Sequence, residues 1–382
     1  MLLRPLLLLG AVLVLLPAGA QSFTSSQGGI PAEHGIGVWQ QGSGYRTLAR
    51  LHLQDGPSYQ LQLIDWDAQG NLTGKQDLPL PGTAFAQATA PAGSGQVVVG
   101  SIFIPDSSRH DLLVVKLDAV GNVQWTSTPF LAGDQQAWSA TTLTNGDVVV
   151  AGMAVTGTDH DALIARFSST GTLLWSTSPS LPGDQELHAM ITDATGITAA
   201  GRTVHGPNGA DLLLMRVDLN GDTLWTRRHG GPMADEARGL VRLSNGDLLA
   251  AGTTQSFGPM RVDSTRMRNL WMLRLNAQGD TLWTHAHGDT LIHRGTTALC
   301  LHISGDGVIA GIRGNTPDNE LLLLRFTPGG NVSWERTFDH GLSERVLQLV
   351  PLGPGAGFMG TGWTSTDTGY GTLLFRRDEQ GN

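Results

Sequence analysis

The sequence of 382 residues contains a single cysteine, Cys300, so no intrachain disulfide can hold it together and stability has to come from packing. Cys300 lies in the apolar stretch Ala298-Leu299-Cys300-Leu301, where a cysteine reads as a small buried hydrophobe rather than a nucleophile. Charge is also scarce: Asp, Glu, Lys and Arg make up 15% of the residues, against a usual ~25%. The 24 basic residues are outnumbered by 33 acidic ones, for a formal charge of -9. That balance argues against a nucleic-acid or anionic-membrane surface built on net charge. No stretch of a dozen residues has helical periodicity without a Pro or Gly interruption. After the first twenty residues, no apolar run approaches the ~20 residues needed to span a bilayer. Glycine is abundant instead, with 51 residues, close to twice the usual ~7%. That suits short strands joined by tight turns.

Residues 1–20 read as a cleavable secretory signal: Arg4, an apolar run from Leu6 to Leu16, then Pro17-Ala18-Gly19-Ala20. The mature chain is expected to begin at Gln21, to be secreted or periplasmic, and to be monomeric. No cysteine follows the cleavage site to accept a lipid, and no membrane insertion is expected after cleavage.

The remainder is repetitive. An apolar run, a basic residue, an acidic or polar residue, a Gly-containing turn and a Trp recur together. Copies are Lys116 to Gly121 with Trp125, Arg166 to Gly171 with Trp175, Arg216 to Gly221 with Trp225, Arg274 to Gly279 with Trp283, and Arg325 to Gly330 with Trp334. With degenerate first and last copies, the turn glycines fall at 70, 121, 171, 221, 279, 330 and 381, spaced 51, 50, 50, 58, 51 and 51. Each unit divides into four short strands, A to D. In the third these are Trp138 to Leu143, Asp147 to Val155, Asp161 to Phe167 and Thr172 to Ser176. Asn145-Gly146 and Asn245-Gly246 mark A–B hairpins. Four-stranded units that cannot cover both faces alone predict an all-β fold, a seven-bladed β-propeller over residues 21–382 as one domain. The last unit stops after strand C. Gln21-Ser22-Phe23-Thr24 lines up with Thr223-Leu224-Trp225-Thr226, so the N-terminal strand is expected to complete the last blade and close the ring, leaving no open sheet edge.

The stretch from Thr226 through His229-Gly230-Gly231, Asp235-Glu236 and Ser244-Asn245-Gly246-Asp247 to Ala250-Ala251-Gly252-Thr253 resembles the secreted bacterial seven-bladed β-propeller (SBBP-like) repeat family. The likeness covers essentially all of residues 21–382. The Asp-x-x-Gly-x-x-x-Trp element resembles the tryptophan-docking motif of quinoprotein-type propellers, with a turn one residue shorter and seven units in place of eight. The resemblance implies a fold and an exported location, and it carries no catalytic residues.

The repeated residues read as structural: the Trp as packing between blades, the turn acids Asp118 and Asp218 as caps of their own turns, and Gly100, Gly152, Gly201, Gly252 and Gly311 as space for a neighbouring ring. Function is expected where the repeats differ, on the face of the D–A and B–C connections. His34, His110, His160, His188, His205, His229, His285, His287, His293 and His340 fall there, with Asp134, Asp184, Glu186, Asp235, Glu236, Asp289, Asp339 and Glu344. His285 and His287 would point the same way on a strand, and His229 occupies the repeat position of His287. These three, with Asp235 and Glu236, form the candidate ligand-binding set at the ring mouth. Arg261, Arg266 and Arg268, on the insertion from Ser256 to Arg268, are candidates for an anionic partner. No H-E-x-x-H, EF-hand, G-x-S-x-G or closely spaced Cys/His pattern occurs; no catalytic residue, metal or cofactor is assigned. The expected function is a non-catalytic binding or interaction module for a protein or glycan. The competing class is a glycan hydrolase or lyase with a His- and acid-lined site.

Overall fold

The computed structural model describes residues 22–29, 32–53, 59–80, 82–105, 108–179, 181–204, 209–259, 267–290, 293–315, 318–340, 343–366 and 369–382. Residues 1–20, the expected signal, lie outside them. The described chain forms seven four-stranded antiparallel sheets, six of which run A-B-C-D in sequence order. The blade with His188 is typical: Asp184–Asp193, Gly196–Val204, Ala210–Val217 and Thr223–His229. The seventh sheet joins Glu344–Pro351, Phe358–Thr366 and Gly369–Arg377 to the N-terminal strand Phe23–Gly29. That strand pairs antiparallel with the last, Phe23 opposite Arg376 and Gly29 opposite Tyr370, so the termini share a blade. The strands A of consecutive blades touch one another around the whole circle, which places them innermost. Seven apolar clusters fill the spaces between sheets; Leu213 and Met215 of one blade, for example, pack with Val149 and Ile164 of the blade before.

The repeated Trp reaches into the next blade. The indole Nε1 atoms of Trp125, Trp175, Trp283 and Trp334 donate to the carbonyls of Ser169, Leu219, Pro328 and Glu379 at 3.0, 3.0, 3.0 and 3.2 Å. Their rings lie against the turn glycines 171, 221, 330 and 381, all with positive φ, where a Cβ would strike the ring. The repeated Arg joins them. Arg166 Nη1 donates to the same Leu219 carbonyl at 2.7 Å, its guanidinium held by Asp147. In the seventh blade Phe23 takes the Trp position, covering Gly70. Gly74 leaves that position empty in the first blade, and there Arg46 Nη1 donates to Val120 O at 2.6 Å. The turn acids act as expected: Asp118 Oδ1 accepts from the amides of Val120 and Asn122. Cys300 is buried, which pushes its thiol up to about 12.

The third blade's strand A, Gln135–Thr142, begins three residues before the alternation predicts, because a bulge at Trp138 interrupts it. Every blade carries this bulge. The pairing register slips between Gly35 and Gly37, Ala86 and Ala88, Ala137 and Ser139, Leu187 and Ala189, Ala237 and Gly239, Thr296 and Ala298, and Val346 and Gln348. The strand-B glycines exist for it. A Cβ on Gly152, Gly201 or Gly252 would lie against the backbone carbonyl of Gln136, Glu186 or Glu236 on strand A. The space expected to receive a neighbouring ring receives instead the inward-pressed carbonyl that the bulge requires. In the first blade the pair is reversed, with Gly35 on strand A opposite Ala49 on strand B.

A candidate ligand channel at the ring axis

A bulge takes one residue out of strand alternation and re-aims its side chain. Here the seven extra residues are Ile36, Gln87, Trp138, His188, Arg238, Thr297 and Leu347. Six of the seven, all but Ile36, line a cavity of about 350 Å³ bounded by the strands A of blades two to seven. Small residues follow the bulge and leave the axis open: Ser139, Ala189, Gly239 and Ala298. The seventh blade has Gln348 there instead. Its Oε1 accepts from the Val38 amide at 2.6 Å and its Nε2 donates to Thr89 O at 3.2 Å, so it crosses from the seventh blade over the first to the second and shuts Ile36 away from the cavity.

Two residues before the bulge stand His34, Glu186, Glu236 and Arg345. With the bulge residues they form a chain of charges along blades four, five and seven. Arg202 holds Glu186 through two bonds, Nε to Oε2 at 2.9 Å and Nη2 to Oε1 at 2.7 Å. His188 Nε2 lies 3.3 Å from Glu186 Oε2, a close approach too poorly aligned for a full hydrogen bond. Arg238 Nη1 lies 3.4 Å from His188 Nδ1, and the same guanidinium grips Glu236 at 3.2 and 3.0 Å. The Trp138 ring sits 4.9 Å from that of His188. Burial lowers the His188 pKa, opposed by Glu186, so the ring is neutral near pH 7 and can offer Nδ1 to the Arg238 donor. Arg345 has neither a hydrogen bond nor an ion pair from its side chain among the described residues. It lines the cavity and is open to it; desolvation lowers its pKa, as does the like charge of Arg238, while Glu236 raises it.

At the first blade, among residues that do not line the cavity, the contacts are aromatic. His34 stacks on Trp363 at 5.7 Å, and Arg50 lies over the Phe85 ring at 3.6 Å. Burial and the positive charge of Arg50 bring His34 down to about 4.

Burial alone would raise the Glu186 carboxyl, but the close His188 ring and the two bonds from Arg202 outweigh this and bring it down from 4.5 to about 2. A carboxylate held lower when folded stabilises the fold above its unfolded pKa, and that stability is lost as pH falls from about 4.5 toward 2. The amount is of order 3 kcal/mol. His34, also held below its ordinary 6.5, erodes stability over a separate window, as pH falls from about 6.5 to 4. Denaturant unfolding as a function of pH should therefore show Glu186→Gln with a shallower acid slope than the parent below pH 4.5, where other low carboxylates such as Asp193 and Asp147 keep their share, and with an unchanged slope above it. Equal slopes below pH 4.5 in both proteins would refute the assignment.

The other candidates sit elsewhere. His229, His285 and His287 lie on outermost strands, Thr223–His229 and Thr281–His287, and do not meet Glu236 at the mouth. His229 Nε2 approaches Gly279 O at 2.9 Å. His285 and His287 do point the same way, toward the next blade: His285 against Gly330, and His287 Nε2 2.5 Å from Glu335 Oε2. Asp235 is buried and accepts from Thr254 Oγ1, Ser256 Oγ and the Gly231 amide, a bracket for its own loops. Arg261 and Arg266 lie outside the described residues; Arg268 is exposed, and its carbonyl accepts from the Arg294 amide at 2.8 Å. Among the described residues no group of three or more His, Cys, Asp or Glu is placed to hold a metal ion. The sequence reading reached Glu186, His188 and Glu236 but missed Trp138, Arg238 and Arg345. Their signal is positional: counted from Ile36, the bulge recurs at 87, 138, 188, 238, 297 and 347, and its residue type differs in every blade.

No family model and no curated protein matches the sequence. Solved structures do. The chain is similar to the Pseudomonas aeruginosa periplasmic gluconolactonase PpgL (TM-score 0.55, 14% identity, 92% of this chain and 93% of that one). It is also similar to puromycin hydrolase (0.56, 16%, 90% and 51%) and to the WD40 β-propeller domain of Doa1 (0.54, 10%, 93% and 95%). Likeness at such low identity is likeness of fold, and the fold it shows is the β-propeller, here with seven blades.

Proposed function

We propose that the chain is an exported, non-catalytic binding module that takes its ligand into the axial channel. The observation that carries this reading is the set of bulges, which turn a different side chain from each of six blades toward one cavity while the rest of the repeat is spent largely on packing. The family read from the repeats, the secreted bacterial seven-bladed propellers with quinoprotein-like Trp turns, and a secreted or periplasmic, monomeric state belong to the same proposal. So does removal of residues 1–20. Support for binding over glycan hydrolysis or lysis comes from the acids. A general acid needs a pKa near the working pH, whereas Glu186 is held at about 2 and Glu236 is gripped twice by Arg238. His188, the base candidate, has its Nδ1 facing Arg238.

The test is thermal unfolding of the mature chain with cello-, xylo- and pectic oligosaccharides, alongside Ser139→Tyr, which fills the cavity from its wall. Ligand at ~100 times its Kd stabilises by about 2.7 kcal/mol, a rise of roughly 3 to 4 °C for a domain of this size. The expected result is a rise that disappears in Ser139→Tyr while the ligand-free midpoint stays put. No rise with any of these oligosaccharides or their constituent monosaccharides, or a rise that survives the plug, would overturn the channel reading.

A further inference from the structure

Charge in the channel does not balance. Arg202, Arg238 and Arg345 supply three guanidinium groups; Glu186 and Glu236 supply two carboxylates, each taken up by one of the first two. His188, held neutral by burial, adds nothing. One positive charge is left over, on Arg345, in a chain whose formal charge is -9. His34 and Arg50 of the first blade, which do not line the cavity, supply no anion to it either. A guanidinium that lines the cavity beside that of Arg238, open to the channel and with no carboxylate within 4 Å among the described residues, is free to take up one negative charge. Arginine meets a carboxylate with two parallel N–H···O bonds, strong and directional.

The rest of the cavity limits what carries that charge. At about 350 Å³ it is near the lower bound of ligand pockets, enough for a body of one ring rather than a chain. One side offers the indole of Trp138, an apolar face for flat or ring-shaped molecules. The others offer Ser139, Thr297 and Gln87, which donate to and accept from hydroxyl groups. Ring C–H faces, several hydroxyls and one carboxylate are the chemistry of a sugar acid. Resting on the channel reading above, we infer that the ligand is a uronate, free or as the end of a glycan, with its carboxylate on Arg345 and its ring against Trp138.

The experiment is calorimetric titration of the mature chain with D-glucuronate and D-galacturonate, and with glucose and galactose as uncharged counterparts. The expected result is binding of a uronate and not of its neutral counterpart, weakened when salt is raised. Arg345→Met should weaken it at least about tenfold, and Arg345→Lys, which keeps the charge but loses the fork, should fall between. Unchanged melting of both variants without sugar would show that the fold is intact. If neutral sugars bind as well as uronates, or if Arg345→Met binds uronate as the parent does, the carboxylate inference fails while the channel reading stands. If neither uronate binds up to about 10 mM, the inference fails, and the oligosaccharide and Ser139→Tyr comparison decides the channel reading separately.

Discussion

A variant starting at residue 32, without the strand Phe23–Gly29, is expected to lose the closed ring altogether. The strand supplies a seven-residue ladder to the last blade, and its side chains fasten that blade to the first. Phe23 covers Gly70 and lies 5.9 Å from the Tyr45 ring, and Ser25 Oγ donates to Gly70 O at 2.5 Å. Arg377, buried, donates to Phe23 O at 2.7 Å and to Thr24 Oγ1 at 2.6 Å. Without these acceptors a buried guanidinium loses charge-assisted bonds, at about 1.5 to 3 kcal/mol for such bonds. With the ladder and the apolar contacts of Phe23, the total loss is of order 5 to 10 kcal/mol, comparable to the whole stability of an ordinary domain. What remains folded would present Gly369–Arg377 as a long unpaired edge, and such edges recruit strands from other copies. Size-exclusion chromatography with light scattering should find oligomers or aggregate in place of monomer. A synthetic peptide of residues 21–31 added in excess should restore part of the monomer. A monomer that melts at the parent's temperature would show that the N-terminal strand is dispensable.

The ring and its closure were legible in the sequence because both rest on residues that recur for one reason in every blade. The Trp has to lie on the next turn, the turn needs its Gly, and the acid caps it; one missing copy, at Gly74, could be recognised from its place in the register. The channel was less legible for the opposite reason. Alternation in strand A breaks at the bulge, so a period of two cannot say which way Trp138 or Arg238 faces. Glu186, His188 and Glu236 were identified by their location on the variable connections, which also gathers residues that never approach the axis. His229 and His287 are such residues: they have the right chemistry, but strand D is the outermost of each sheet, and there they contact the neighbouring blade. Asp235 lies on the same variable connection as Glu236, but consecutive strand residues face opposite ways and Asp235 turns to its own loops. The strand-B glycines were the available clue. They marked a place where strand A presses close, and were read as room for a ring.

Gly252→Val is the substitution expected to show that this glycine and the channel are one device. An added Cβ would lie 1.7 Å from Glu236 O and 3.0 Å from Ala237 Cα, backbone atoms that cannot swing aside as a side-chain tip can. Strand A of the fifth blade must move as a whole, carrying Glu236 and Arg238 with it. Because the Gly252 carbonyl accepts from Thr296 Oγ1 at 2.6 Å, the seam to the sixth blade is disturbed as well. Overpacking of a backbone contact this close should cost about 3 kcal/mol or more, roughly 4 °C in melting temperature at ~2.1 cal/mol/K per residue. Any uronate binding should be lost in the same variant, and the loss should exceed that from Arg345→Met. Gly353→Ala, where an added Cβ meets nothing within 4 Å, should stay within about 0.5 kcal/mol of the parent. The equivalent glycine of the sixth blade sharpens the comparison. At Gly311 the nearest carbonyl, that of Gly295, is 2.4 Å from the added atom rather than 1.7 Å, so Gly311→Ala should cost less than Gly252→Ala. If the two cost the same, or if Gly252→Val melts with the parent, the glycine does not hold the bulge open and the arrangement of Arg238 and Glu236 must be maintained by their ion pair alone.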